Sequence, residues 1–182
     1  MQHLARWAKT IHEGRASEAR NEIFFELDRS NRNEEEYIGL AQLLMDIGEY
    51  HHALCEISHV LQESSSERWR NSAHIYNAYG LKRIGEWFLE NKEEEAARGH
   101  FLPALFEVER GLGGSAHAQA HFFGIAYKAQ LHYLLGEYDK VIETPNGRGL
   151  LPIKSAPPKV QSVVYDLVDL AKEKLADGQQ GK

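Results

Sequence analysis

The first 102 residues contain no proline. All five prolines of this 182-residue chain (Pro103, Pro145, Pro152, Pro157 and Pro158) come later. Proline removes a backbone donor and clashes with the preceding turn, so its absence leaves a long stretch free to be helical. Strong helix formers dominate the chain: Ala, Leu and Glu supply 19, 20 and 21 residues, whereas Thr appears only at Thr10 and Thr144. A sandwich or barrel would need β-branched strands broken by frequent turns. The chain is therefore expected to be all-α.

Period-3.6 patterning and breaker residues place helices near 2–13, 16–29, 34–47, 50–63, 67–90, 92–111, 116–135, 137–143 and 158–176. Asn33 is a good N-cap before three glutamates, after the polar loop Ser30-Asn31-Arg32-Asn33. Ser64-Ser65-Ser66 is a second loop, with Glu67 opening the next helix. Gly111-Leu112-Gly113-Gly114-Ser115 reads as a helix stop, with Ser115 able to cap the helix after it. Pro145 should cut its helix short. Residues 145–157 then form a proline- and glycine-bearing connector, and Asp177–Lys182 reads as a frayed tail.

Hydrophobic residues make up 42% of the chain, enough for a core and too many for general disorder. No apolar run approaches the roughly 18 residues of a membrane span. The N-terminal sequence lacks the basic-then-apolar layout of a secretory signal. A single cysteine, Cys55, cannot form an internal disulfide, so a reducing cytoplasm is the expected compartment. The formal charge is −6. Residues 1–144 hold 15 Lys/Arg against 23 Asp/Glu, and the remainder holds 6 against 4. An acidic body disfavours nucleic acid as a partner, because that binding runs on basic surfaces.

A repeat lies behind the helices. Gly-Glu-aromatic occurs at Gly48-Glu49-Tyr50, Gly85-Glu86-Trp87 and Gly136-Glu137-Tyr138, with a degenerate copy at Gly14-Arg15-Ala16. Glycine permits a sharp turn between antiparallel helices. A small residue seven positions earlier (Ala41, Ala78, Ala129) lets the partner helix come close. Around Gly85 a second register is preferred. It turns at Asn91-Lys92, uses Ala97, Phe101 and Ala104, and gives two long helices.

This pattern resembles the tetratricopeptide repeat (TPR). Residues 34–67 carry the best copy, on Tyr37, Leu40, Ala41, Leu44, Gly48, Tyr50, Ala53, Ile57 and Val60, and the 34-residue step from Gly14 to Gly48 matches the family's period. A weaker likeness over residues 4–63 is to the helical solenoid preceding the catalytic domain of soluble lytic transglycosylases. The TPR resemblance implies antiparallel helix pairs over residues 1–144, stacked as a short right-handed superhelix. Residues 158–182 would supply a capping helix and tail, making one domain overall. It further implies a cytoplasmic, non-catalytic adaptor binding a peptide or protein on a concave face, without a cofactor. Groove candidates are Glu35, Ile38, Gln42 and Met45, then Asn77 and Leu81 beside Tyr76 and Arg83, then Phe123, Ala126, Gln130 and Tyr133. The alternative is that these side chains fill a closed bundle.

Two rival readings stay open. Ten histidines invite a metal site. His52, Glu56 and His59 share one helical face at i, i+4 and i+7 and should face solvent, and His117 and His121 are also i, i+4. Di-iron bundles, however, take such motifs from facing helices, and His-Glu-x-x-His is absent. Cys55 is expected near the buried face of its helix. No phosphate loop or nucleophile motif marks an enzyme. A self-associating subunit is the other rival, using the Leu-Leu-Pro-Ile connector or the last helix.

Overall fold

The structure is a computed structural model describing residues 2–27, 32–147 and 150–180. Nine α-helices and no strand occur among the described residues: α1 (Gln2–His12), α2 (Ala16–Leu27), α3 (Glu34–Asp46), α4 (Tyr50–Glu63), α5 (Glu67–Glu90), α6 (Glu94–Leu112), α7 (Ala118–Leu134), α8 (Tyr138–Glu143) and α9 (Pro158–Gln180). Two single-turn 3₁₀ segments, Thr144–Asn146 and Ile153–Ser155, lie between α8 and α9. Ser30, Asn31, Arg148, Gly149 and the final two residues lie outside the described set.

The first eight helices form four pairs, joined by turns of one design. The residue with positive φ is Gly14, Gly48, Lys92 or Gly136. Its N–H bonds the carbonyl three residues back: Gly48 to Met45 at 3.1 Å, Lys92 to Leu89 at 3.0 Å. The next N–H bonds five residues back: Glu49 to Leu44 at 2.8 Å, Glu93 to Phe88 at 2.9 Å. These paired bonds satisfy the last carbonyls of the first helix, the Schellman arrangement. The third turn lies at Asn91-Lys92, the preferred register. Gly85 sits inside α5, where its missing side chain makes room for Phe101 of α6.

Packing follows chain order. Each helix of the array touches its successor, and α1, α3, α5 and α7 also touch in series, with α9 closing on α7 and α8. The core runs through all pairs: Ile23, Leu44, Ile57, Ile75, Val108 and Ile125 are each fully or almost fully enclosed. A large apolar side chain buried in this way contributes about 1.5–3 kcal/mol. Val160, Val164, Val168 and Ala171 form the buried stripe of α9.

Local details depart from expectation in three places. Asn33 caps α3 as expected, in a full capping box with Glu36. Ser115 does not cap α7, whose cap residue is His117 with its N–H on the Ser72 hydroxyl at 3.0 Å. The stop at the end of α6 is not a left-handed cap, since Gly113 has φ −70. Gly111 instead serves proximity: an added Cβ would lie 2.6 Å from the Asn71 carbonyl oxygen. The α9 helix runs on to Gln180, so the expected tail is helical through that residue.

Candidate functional site

One helix of each of the four pairs contributes to a pair of adjoining cavities. The larger, about 480 Å³, is walled by Leu4, Ala5 and Ala8 of α1 and by Gln42, Met45 and Asp46 of α3. Tyr76 and Tyr79 of α5 and Gln119, Phe123 and Tyr127 of α7 complete it. The smaller, about 320 Å³, shares Leu4, Gly39, Gln42, Tyr76 and Gln119 with the first and continues to Glu35, Ile38, Trp69 and His117. The two together form a trough across the first helices of the pairs.

The sequence places these side chains through two periodicities. On α3, Glu35, Ile38, Gln42 and Met45 recur at helical spacing and share one face. Ala5 and Ala8, small residues of α1, keep the opposite side open, and Gly39 on α3 lets Leu4 come close, since a Cβ there would lie 2.8 Å from Leu4 Cδ1. Aromatic rings furnish the far wall. Tyr79 stacks on Tyr127 with ring centres 4.9 Å apart, and Phe123 stacks on Tyr127 at 6.1 Å. Burial pushes the Tyr76 hydroxyl up to about 12, against a hydrogen bond with Gln42 that lowers it. Burial likewise raises Tyr127 and the Asp46 carboxyl. Partial dehydration of this wall disfavours the charged form of each group and so raises all three.

Ile38, Gln42, Met45 and Phe123 are thus brought together, with Glu35 beside them. Asn77, Leu81, Gln130 and Tyr133 are not among the lining residues. Asn77 donates to Glu107 of α6 at 3.0 Å, in a network with His74. Leu81 packs against the core. The Gln130 side-chain oxygen is buried without a hydrogen-bond partner among the described residues. Tyr133 meets Tyr138 edge-on. Ala126 is buried in the core, and Arg83 bonds Glu86 and Tyr50. Tyr79, Tyr127, Leu4 and Gln119 are lining residues that the repeat offsets did not supply. The longer α5 meets the trough about one to two turns nearer its N-terminus than the best copy implies, and α7 does so at Gln119. The aromatic spacing Tyr76, Tyr79 and Phe123, Tyr127 was the available signal.

The histidine constellations take other roles. His52 lies edge-on to Phe24 and 3.3 Å from Glu49. His59 stacks on Tyr37 at 5.2 Å. Both are exposed, but Glu56, expected in solvent, is buried and pairs with Arg32 at 2.9 Å. Burial holds its carboxyl above the usual glutamate range in spite of Arg32. His117 stacks on Trp69 with ring centres 4.0 Å apart, whereas His121 Nε2 accepts the Leu151 N–H at 3.1 Å. No three His, Cys, Asp or Glu side chains converge as metal ligands among the described residues. Cys55 is exposed, contrary to expectation, because its position on α4 turns away from the α3 contact made by Ala53 and Ile57.

In the connector, Ile153 is buried and Leu150 packs on the core, while Leu151 is exposed. No described helix is long and apolar enough to cross a membrane. Comparison of the chain with protein-family models, with curated proteins and with solved structures finds no match.

Proposed function

We propose that this chain is a TPR-like, non-catalytic interaction module, working as a cytoplasmic adaptor that takes an extended peptide or protein segment in the trough. The reading treats the four pairs as stacked repeats of a short right-handed superhelix, with α9 as the cap. One observation carries it: a single trough draws on α1, α3, α5 and α7, the first helix of every pair. Its wall combines aromatic rings, a methionine and amides, groups suited to adaptable peptide contact. The analogy is to architecture, so the occupant must be found by experiment.

The test is selection of a random peptide library on the folded protein, with counter-selection on Ala5→Tyr/Ala8→Tyr. Both alanines are exposed and line the trough, so tyrosines there plug it without entering the core. Clones retained by the parent and lost on the plugged variant are expected. Clones bound equally by both proteins would refute the trough as the binding surface.

A second reading, self-association, is favoured by Leu102 and Phe106, exposed one turn apart on the outer face of α6. Light scattering over a range of concentrations decides it: a constant monomer mass removes this reading.

A further inference from the structure

Charge is distributed unevenly along the trough. Lys and Arg number 21 in the chain, yet none is among the residues that line either cavity. Two carboxylates do line them: Glu35 in the smaller cavity and Asp46 in the larger. Both are exposed at the rim, and neither has an ion pair among the described residues. Beyond Tyr79, Lys82 and Arg83 are both committed to Glu86, each at 2.7 Å; at the other end Arg68 and Glu35 act with opposite sign on His117.

Helix geometry fixes how the two carboxylates relate. They are 11 residues apart on α3. Eleven residues make about three turns, which returns them to the same face about 16 Å apart. Ile38, Gly39 and Gln42 lie between them on the floor of the trough. An extended chain rises about 3.3 Å per residue and alternates its side chains between two faces, so residues four apart share a face about 13 Å apart, and long basic side chains reach the rest of the span.

We propose that the trough selects an extended segment with Lys or Arg at two positions four residues apart, on one face of the segment, and apolar side chains between them. Each cation meets one rim carboxylate, and the apolar side chains lie among Leu4, Tyr76, Tyr79 and Phe123. Aromatic faces at the Asp46 end add attraction for a cation. A segment with acidic ends would bring like charges to both rims. The inference rests on the reading of the trough as a peptide site and adds the chemistry of its occupant.

The experiment repeats the library selection on three proteins: the parent, the plugged Ala5→Tyr/Ala8→Tyr and the charge-reversed Asp46→Lys. Parent clones that the plug abolishes are expected to carry two basic residues four apart around an apolar centre. Their affinity should fall as salt rises from about 0.05 to 0.5 M, since rim charges are screened. Asp46→Lys should select Asp or Glu at the corresponding end. The milder Asp46→Asn should weaken a parent-selected peptide about two- to fivefold, the scale of an exposed ion pair. Thermal melts of each variant establish that it is folded. Plug-sensitive clones with neutral or acidic ends, or a composition unmoved by Asp46→Lys, would overturn the inference and leave the trough reading standing. An absence of plug-sensitive clones would defeat both.

Discussion

The α3/α4 and α5/α6 pairs turn in the same way and differ in almost everything else. One pair has helices of 13 and 14 residues, the other of 24 and 19. One turns on Gly48 with φ 83, the other on Lys92 with φ 64. Both make the same two backbone hydrogen bonds. The unit of this fold is thus the bonded turn, and glycine only lowers its cost. The tripeptide Gly85-Glu86-Trp87 makes the converse point. It matches the turn at Gly48 in composition and lies in mid-helix, because Gly85 is needed against Phe101 and Glu86 binds Lys82 and Arg83.

The largest expected effect is in the shorter pair. Arg32→Ala would strand the buried Glu56 carboxylate and is expected to cost about 3–5 kcal/mol in denaturant unfolding. Replacing both partners, Arg32→Met with Glu56→Leu, should recover most of that loss. A single mutant within about 1 kcal/mol of the parent would show that the pair is solvated.

The two glycine tripeptides then separate by mechanism. A side chain at Gly85 meets the Phe101 ring at 2.5 Å, so Gly85→Leu should overpack α5 against α6 and cost about 1–3 kcal/mol. Gly48 has open space around it and a left-handed backbone, so Gly48→Ala should cost about 1 kcal/mol from φ alone. Lys92→Gly should act in the opposite direction and stabilise by about 0.5–1 kcal/mol, less what a looser unfolded chain gives back. Chemical denaturation of the three variants checks these signs. A destabilised Lys92→Gly would mean that the lysine side chain, and not the backbone, holds the turn.

The smallest effect lies outside both pairs. Burial lowers the pKa of His121 and of His132, the latter against the pull of Glu137. Their unfolded forms therefore take up protons first. Stability is complete above the ordinary histidine value near 6.5 and declines as the pH falls through it toward the lower folded values. Thermal melts between about pH 7.5 and 5.5 should show a falling Tm. His121→Gln should flatten part of that slope, since its Nε2 holds the Leu151 N–H only when unprotonated. A slope unchanged by that substitution would detach the connector from the effect.

Helix positions were legible because local signals agreed: no proline, strong helix formers, and punctuation at Asn33, Gly48 and Pro145. The α3 wall was legible too, since Glu35, Ile38, Gln42 and Met45 fall on one helical stripe. The α5 and α7 walls were only partly legible. Their lining depends on where long helices cross, and crossing points are set by side-chain packing at Gly85, Gly111 and Gly124 rather than by a repeat offset. Glu56 eluded the surface reading because its partner, Arg32, lies 24 residues away beyond a loop. Cys55 was misplaced by one helical step, an error of about 100° that turns a buried position into an exposed one.

The first helices of the pairs are held to form one binding surface, and the peptide reading depends on that. Backbone amide NMR during titration with a plug-sensitive, doubly basic peptide tests it most directly. The expected shifts cluster on α1, on residues 35–46 of α3, on residues 69–79 of α5 and on residues 117–127 of α7. Shifts confined to the outer face of α6 around Leu102 and Phe106, or to α9, would contradict it.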